Sequence, residues 1–60
     1  MQARDIEDFD DMLIDAELNA ANDWEMDFTA DLRSKYQIYG EKTFVSEKQL
    51  DQLQRISGWE

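Results

Sequence analysis

Apolar residues recur along this chain at helical spacing in three blocks. Ile6, Phe9, Leu13, Ala16 and Ala20 follow alternating steps of three and four, which places them on one face of a helix. The pattern predicts a first helix over about residues 5–20. Asn22 then offers an N-cap with Glu25 three residues on, a variant of the capping box. Beyond it Trp24, Phe28, Leu32 and Tyr36 repeat at i+4. A second helix is predicted over about 23–38, with Trp24–Phe28–Leu32–Tyr36 as its buried stripe and Phe28 and Leu32 central to packing. Gly40 is expected to stop it in the left-handed conformation open to glycine.

The segment "VSEKQL" at 45–50 carries a complete helix-start signal. Ser46 can cap while Gln49 reaches back, and Val45 can pack on Leu50 as a hydrophobic staple. A third helix is predicted over about 47–57, with Leu50, Leu53 and Ile56 buried. Gly58 ends it, and Trp59 can fold back over its last turn. "EKTF" at 41–44 can be extended, but the pattern supplies no strand to pair with it. The expected fold is all-α: one small three-helix domain over residues 1–60, the second and third helices neighbouring and antiparallel.

Sixty residues bury only ~60% of the surface that the unfolded chain exposes, so stability is expected to be marginal. There is no cysteine, which removes disulfides and thiolate metal sites. Nothing resembles a signal peptide or a membrane span. A cytoplasmic protein without membrane contact is the expectation.

Charge changes the picture more. Fifteen acids against six bases leave −9. Residues 1–31 hold eleven acids against Arg4 alone, a net of −10, whereas residues 32–60 are nearly balanced. Such a field repels nucleic acid and anionic membranes and attracts basic partners. It also keeps a small domain soluble.

The first helix carries this charge beside a second apolar patch. At 100° per residue, Ile14 and Leu18 fall almost opposite the Ile6–Phe9–Leu13 face, next to Glu7, Asp11 and Asp15. One reading has both faces used internally or covered by a homodimer. The other makes the face a protein-binding surface, with Ile14 and Leu18 as anchors and Asp8, Asp11 and Asp15 setting specificity. Residues 5–17 hold seven acids over ~20 Å of helix, one per ~2.8 Å. Duplex DNA carries one charge per ~1.7 Å and a single strand one per ~3.4 Å. Asp23 and Asp27 of the second helix, with Glu25 and Asp31, raise the density further if the two acidic faces align.

Other chemistries find little support. "DFDD" supplies Asp8 and Asp10, but helical spacing points them apart, and the glycine and distal glutamate of a calcium loop are missing. With no histidine, zinc or iron ligation lacks its commonest nitrogen donor. Ser34, Ser46 and Ser57 lack a histidine base. No enzyme activity, metal or cofactor is expected. "RSKYQIYG" mixes aromatics with basic residues that can stack bases, but the acidic half opposes direct nucleic-acid binding.

The aromatic pair, a spacer, an S-x-K-Q run and a leucine–isoleucine tail are carried here by Trp24, Phe28, Leu32, Ser46, Lys48, Gln49, Leu53 and Ile56. Over about 35 residues this resembles a short helical module of phage-encoded proteins, often appended to proteins of DNA metabolism. Val45 stands where that module usually has leucine, and here only the acidic segment precedes it. The resemblance implies an infected bacterium's cytoplasm. By analogy with small acidic phage proteins, it implies a protein that inhibits a basic-surfaced host protein that handles nucleic acid. The alternatives are an accessory docking module for phage replication or recombination proteins, using residues 23–57, and a structural homodimer.

Self-repulsion of the acidic half predicts that melting temperature rises as salt goes from ~10 mM, where the Debye length is ~30 Å, to ~150 mM, where it is ~8 Å. A flat or falling melting temperature in thermal scans across that range would show that the acids are already neutralised by partners.

Overall fold

The computed structural model describes residues 1–59. It is all-α: α1 (Phe9–Asn19), α2 (Asp23–Tyr39) and α3 (Glu47–Ser57), with 3-10 turns at Ala3–Asp5 and Gly40–Lys42. Among the described residues no helix is long and apolar enough to cross a membrane.

The start of α2 uses the expected cap, with a shift. Asn22 Oδ1 accepts from the Glu25 amide at 2.8 Å. The Glu25 carboxylate reaches past the cap to the Ala21 amide, also at 2.8 Å. The box at α3 forms as the sequence requires: the Gln49 amide donates to Ser46 Oγ at 3.1 Å, and the Ser46 amide to Gln49 Oε1 at 3.0 Å. Gly58 is left-handed at φ 80° and ψ 19°. Gly40 has positive φ as expected, but at ψ −132° it lies outside the left-handed helical region, in territory closed to other residues.

The first helix begins at Phe9 rather than near residue 5. Ahead of it Gln2 and Phe44 form an isolated antiparallel bridge. The Ala3 amide donates to Thr43 O at 2.8 Å, the Val45 amide to Met1 O at 2.7 Å, and the Met1 nitrogen to Val45 O at 3.0 Å. Residues 43–45 therefore do find a partner, in the first residues of the chain, while Glu41 and Lys42 lie in the 3-10 turn. Backbone committed to this bridge cannot also enter a helix. The chain makes one 3-10 turn and reverses through Asp8 at φ 55° before α1 can start.

The core is one cluster: Phe9, Met12, Leu13 and Ala16 of α1, Leu32 of α2, Leu53 and Ile56 of α3, and Ala3 and Val45 from the bridge. Thr43 is buried beside it, its hydroxyl donating to Gly40 O at 2.7 Å. The closest helix packing is α1 on α3 and then α1 on α2, while α2 and α3 approach each other only sparingly. The neighbouring second and third helices expected from their short connection are thus held together mainly through the first.

The i+4 stripe of α2 is core only in part: Leu32 belongs to the core, Phe28 and Tyr36 pack half-buried against it, and Trp24 does not. Each i+4 step advances 400°, a 40° drift, so three steps swing Tyr36 about 120° from Trp24. Only Leu32 is fully buried, with Thr29 beside it. Phe28 is half-buried and Trp24 is 58% exposed. Leu32→Ala is therefore expected to cost ~2–5 kcal/mol, comparable to the ~3–9 kcal/mol available to a chain this long. Phe28→Ala is expected to cost visibly less and to keep a cooperative melt. Urea titrations that rank the two the other way would refute this placement.

Candidate functional site

Two surfaces stand out, one acidic and one apolar. The acidic one is built on α1. Asp8 and Asp11 join Asp10, Glu41 and one base, Arg4, around a depression of about 280 Å³ also lined by Ile6, Phe9 and Tyr36. Its shape depends on the Phe9–Tyr36 ring contact, centroids 5.2 Å apart and tilted 55°. Glu41 comes from the second 3-10 turn and enters only through tertiary folding.

The remaining expected residues scatter. Ile14 is 41% and Leu18 79% exposed on α1, so neither is used inside the fold. Asp15 is half-buried and accepts from Trp59 Nε1 at 2.7 Å. Trp59 does fold back, although onto α1 across the molecule. Asp23 and Asp27 are exposed on α2 and line neither the depression nor the groove described below. Asp23 sits in the first turn of α2, where its charge suits the positive end of the helix dipole.

The acidic field is partly spent on holding the helices together. Arg33 of α2 donates through NH2 to Glu17 at 2.7 Å, through Nε to the same oxygen at 3.1 Å, and through NH1 to Asp10 at 3.3 Å. It also lies over the Tyr36 ring, 6.0 Å from the centroid. Its hydrogen bond to Glu17 holds the guanidinium above its ordinary pKa, against the opposing pull of partial burial. Of the seven acids between 5 and 17, Asp10, Asp15 and Glu17 thus have side-chain partners, and Asp5 accepts from the Gln2 amide at 3.0 Å. Glu7, Asp8 and Asp11 are left as exposed carboxylates with no hydrogen-bond or ion-pair partner among the described residues. Three such charges, two of them ahead of the helix that starts at Phe9, fall well short of a strand-like array. No cluster of three or more carboxylates suited to a metal ion occurs among the described residues.

The apolar surface is a groove of about 640 Å³ between α2 and the segment leading into α3. Trp24 and Phe28 stack at 5.3 Å with planes 7° apart on one side, with Tyr39 and Phe44 across from them or beside them in the lining. Tyr39 is 60% and Phe44 66% exposed. Lys35 and Lys48 contribute the charge, and no Asp or Glu lines the groove. Sequence reasoning placed Trp24 in the core and left Tyr39 and Phe44 unassigned. The 40° drift of an i+4 repeat was the available signal that Trp24 and Leu32 face different ways.

No protein-family model, curated protein or solved structure matches this chain.

Asp8 stands at positive φ and makes no side-chain cap bond. Asp8→Gly and Asp8→Ala remove the same charge, but only alanine keeps the steric penalty of the left-handed region. The glycine variant should be the more stable by about 1 kcal/mol. Equal stabilities in paired denaturant titrations would show that the turn before α1 is not left-handed.

Proposed function

We propose that this protein acts by binding another protein, through the groove between α2 and α3, as a docking module rather than as a catalyst. The observation that carries this reading is the groove itself. Trp24, Tyr39 and Phe44 are all more than half exposed and gather around one concavity. Exposed aromatics in a concave setting are the residue types that supply most binding energy at protein interfaces. Leaving them in water is unfavourable unless something covers them in use. Trp24, Phe28, Lys48 and Gln49 are also among the residues through which the chain resembles phage helical modules attached to proteins of DNA metabolism. On this reading its setting is the cytoplasm of an infected bacterium and its partner belongs to replication or recombination.

A second reading keeps the acidic face. Asp8, Asp11, Ile14, Asp15 and Leu18, with Asp23 and Asp27 from α2, occupy a basic nucleic-acid-binding surface and inhibit its owner. The large exposure of Leu18 beside carboxylates favours it. The loss of Asp10, Asp15 and Glu17 to internal partners weighs against a duplex-like array. A homodimer through Ile14 and Leu18 is a third reading, which the mutual repulsion of two −9 chains opposes.

Capture from bacterial lysate, followed by mass spectrometry and affinity measurement on the recovered partner, separates these readings. Trp24→Ala/Phe44→Ala should weaken binding about 30-fold or more, the effect of losing a ~2 kcal/mol hot spot. Asp11→Lys/Asp15→Lys should leave it nearly unchanged, as should added DNA. The reverse pattern, with steep salt dependence, would replace docking by mimicry.

A further inference from the structure

We propose that the α2–α3 groove takes an acidic amphipathic segment of its partner: apolar side chains on the aromatic floor and carboxylates toward Lys48. The proposal rests on the docking reading and adds the chemistry of the occupant.

Three observations converge on it. The first is the floor, where stacked Trp24 and Phe28 with Tyr39 and Phe44 offer apolar surface. The groove's ~640 Å³ lies within the ~300–1,000 Å³ of pockets that hold several apolar groups. The second is local charge. In a chain of −9, this groove is lined by two lysines and no carboxylate. Lys35 is already paired with Asp31 at 3.2 Å, whereas Lys48 has no salt-bridge partner among the described residues. The third is the first turn of α3, which borders the groove through Ser46, Lys48 and Gln49. The Gln49 amide is capped by Ser46, but the Glu47 and Lys48 amides, at the first two helical positions, have no intrahelical acceptor. They add partial positive charge on the same side as Lys48.

The groove is thus an apolar patch with one open lysine and no carboxylate in its lining, on a protein whose net charge is −9. A nucleic acid at the groove would meet the field of a chain of −9, and a second copy would bring nine excess negative charges of its own. A short segment needs only a few carboxylates, held next to Lys48, and meets little of that repulsion. The α2 edge from Trp24 to Tyr39 runs about 22 Å at ~1.5 Å per residue, room for a helix of about twelve residues, ~18 Å long.

The test is selection of random peptides of about twelve residues, displayed on phage and panned on the full chain at ~150 mM salt. The negative field as a whole would enrich basic peptides, so charge makes the outcome decisive. The expected winners carry two or three aromatic or leucine anchors next to Asp or Glu. Fluorescence polarisation of a synthetic winner should show at least about tenfold weaker binding to Phe44→Ala and to Lys48→Glu. Both positions are exposed, and circular-dichroism melts check that the variants fold. Asp11→Lys should not weaken binding. Winners that are basic or uncharged yet lost on Phe44→Ala would overturn the acidic occupant and leave the docking reading standing. Winners indifferent to both Trp24→Ala and Phe44→Ala, or no winners, would sink both. A single-stranded oligonucleotide that displaces the winner directly, or a dimer that falls apart on Phe44→Ala in light scattering, would also overturn the proposal.

Discussion

The fold hangs on α1, because a single helix face has to satisfy both of the others. Phe9, Met12, Leu13 and Ala16 form the buried face of α1, the helix on which α2 and α3 both rest. Burial of apolar area is the main stabilising term available to a chain without disulfides. Leu13 and Leu53 are fully buried at the α1–α3 side and Leu32 at the α2 side. With one shared core, α2 and α3 need not pack on each other, and they barely do. The gap they leave is the groove. The aromatic residues around it are exposed for that reason, so the candidate binding surface follows from how the core is shared.

The bridge between the first residues and 43–45 supports the same arrangement from the far side. It places Ala3 and Val45 in the core and fixes the segment from which Phe44 projects. Alternation along an extended backbone does the sorting: Thr43 and Val45 point inward while Phe44 between them points out. Thr43 satisfies its buried hydroxyl on the Gly40 carbonyl, so the inward-facing polar group is not left unpaired. Phe44 enters the groove lining through backbone pairing that no helical period describes.

Charge divides along the same geometry. On the α1 side, Arg33 draws Asp10 and Glu17 to one guanidinium, and Trp59 holds Asp15. These contacts join helices and also lower the number of carboxylates offered outward. Their contribution to stability is modest, as partly exposed ion pairs typically give at most ~1 kcal/mol. They also break the even spacing of open carboxylates that resemblance to a nucleic-acid strand requires. On the α2–α3 side carboxylates are absent from the groove lining, so the acids of this protein are unevenly shared between the two surfaces.

Local signals determined the helices, and they are legible because caps act over three or four residues. Asn22, the Ser46–Gln49 box and Gly58 each mark a boundary through bonds to their immediate neighbours. The buried stripes of α1 and α3 were legible in part for a similar reason: Phe9, Leu13 and Ala16, and Leu53 and Ile56, follow steps of three and four, whereas Met12 of α1 was not expected in the core and Leu50 is only half-buried. The acidic half was visible as well, and so was the second apolar face of Ile14 and Leu18, but only the fold showed that this face stays exposed. Tertiary structure decided what depends on partners distant in sequence. The bridge from residues 1–3 to 43–45 delayed α1 to Phe9, and Arg33 and Trp59 took up Asp10, Glu17 and Asp15. The sharing of α1 by both other helices turned Trp24 from expected core into the wall of a groove and left Phe28 between the two, packed on the core and lining the groove. Periodicity records which residues share a face of one helix. Which face meets a neighbour, and which stays open, is set by how few apolar surfaces sixty residues have to divide among three helices.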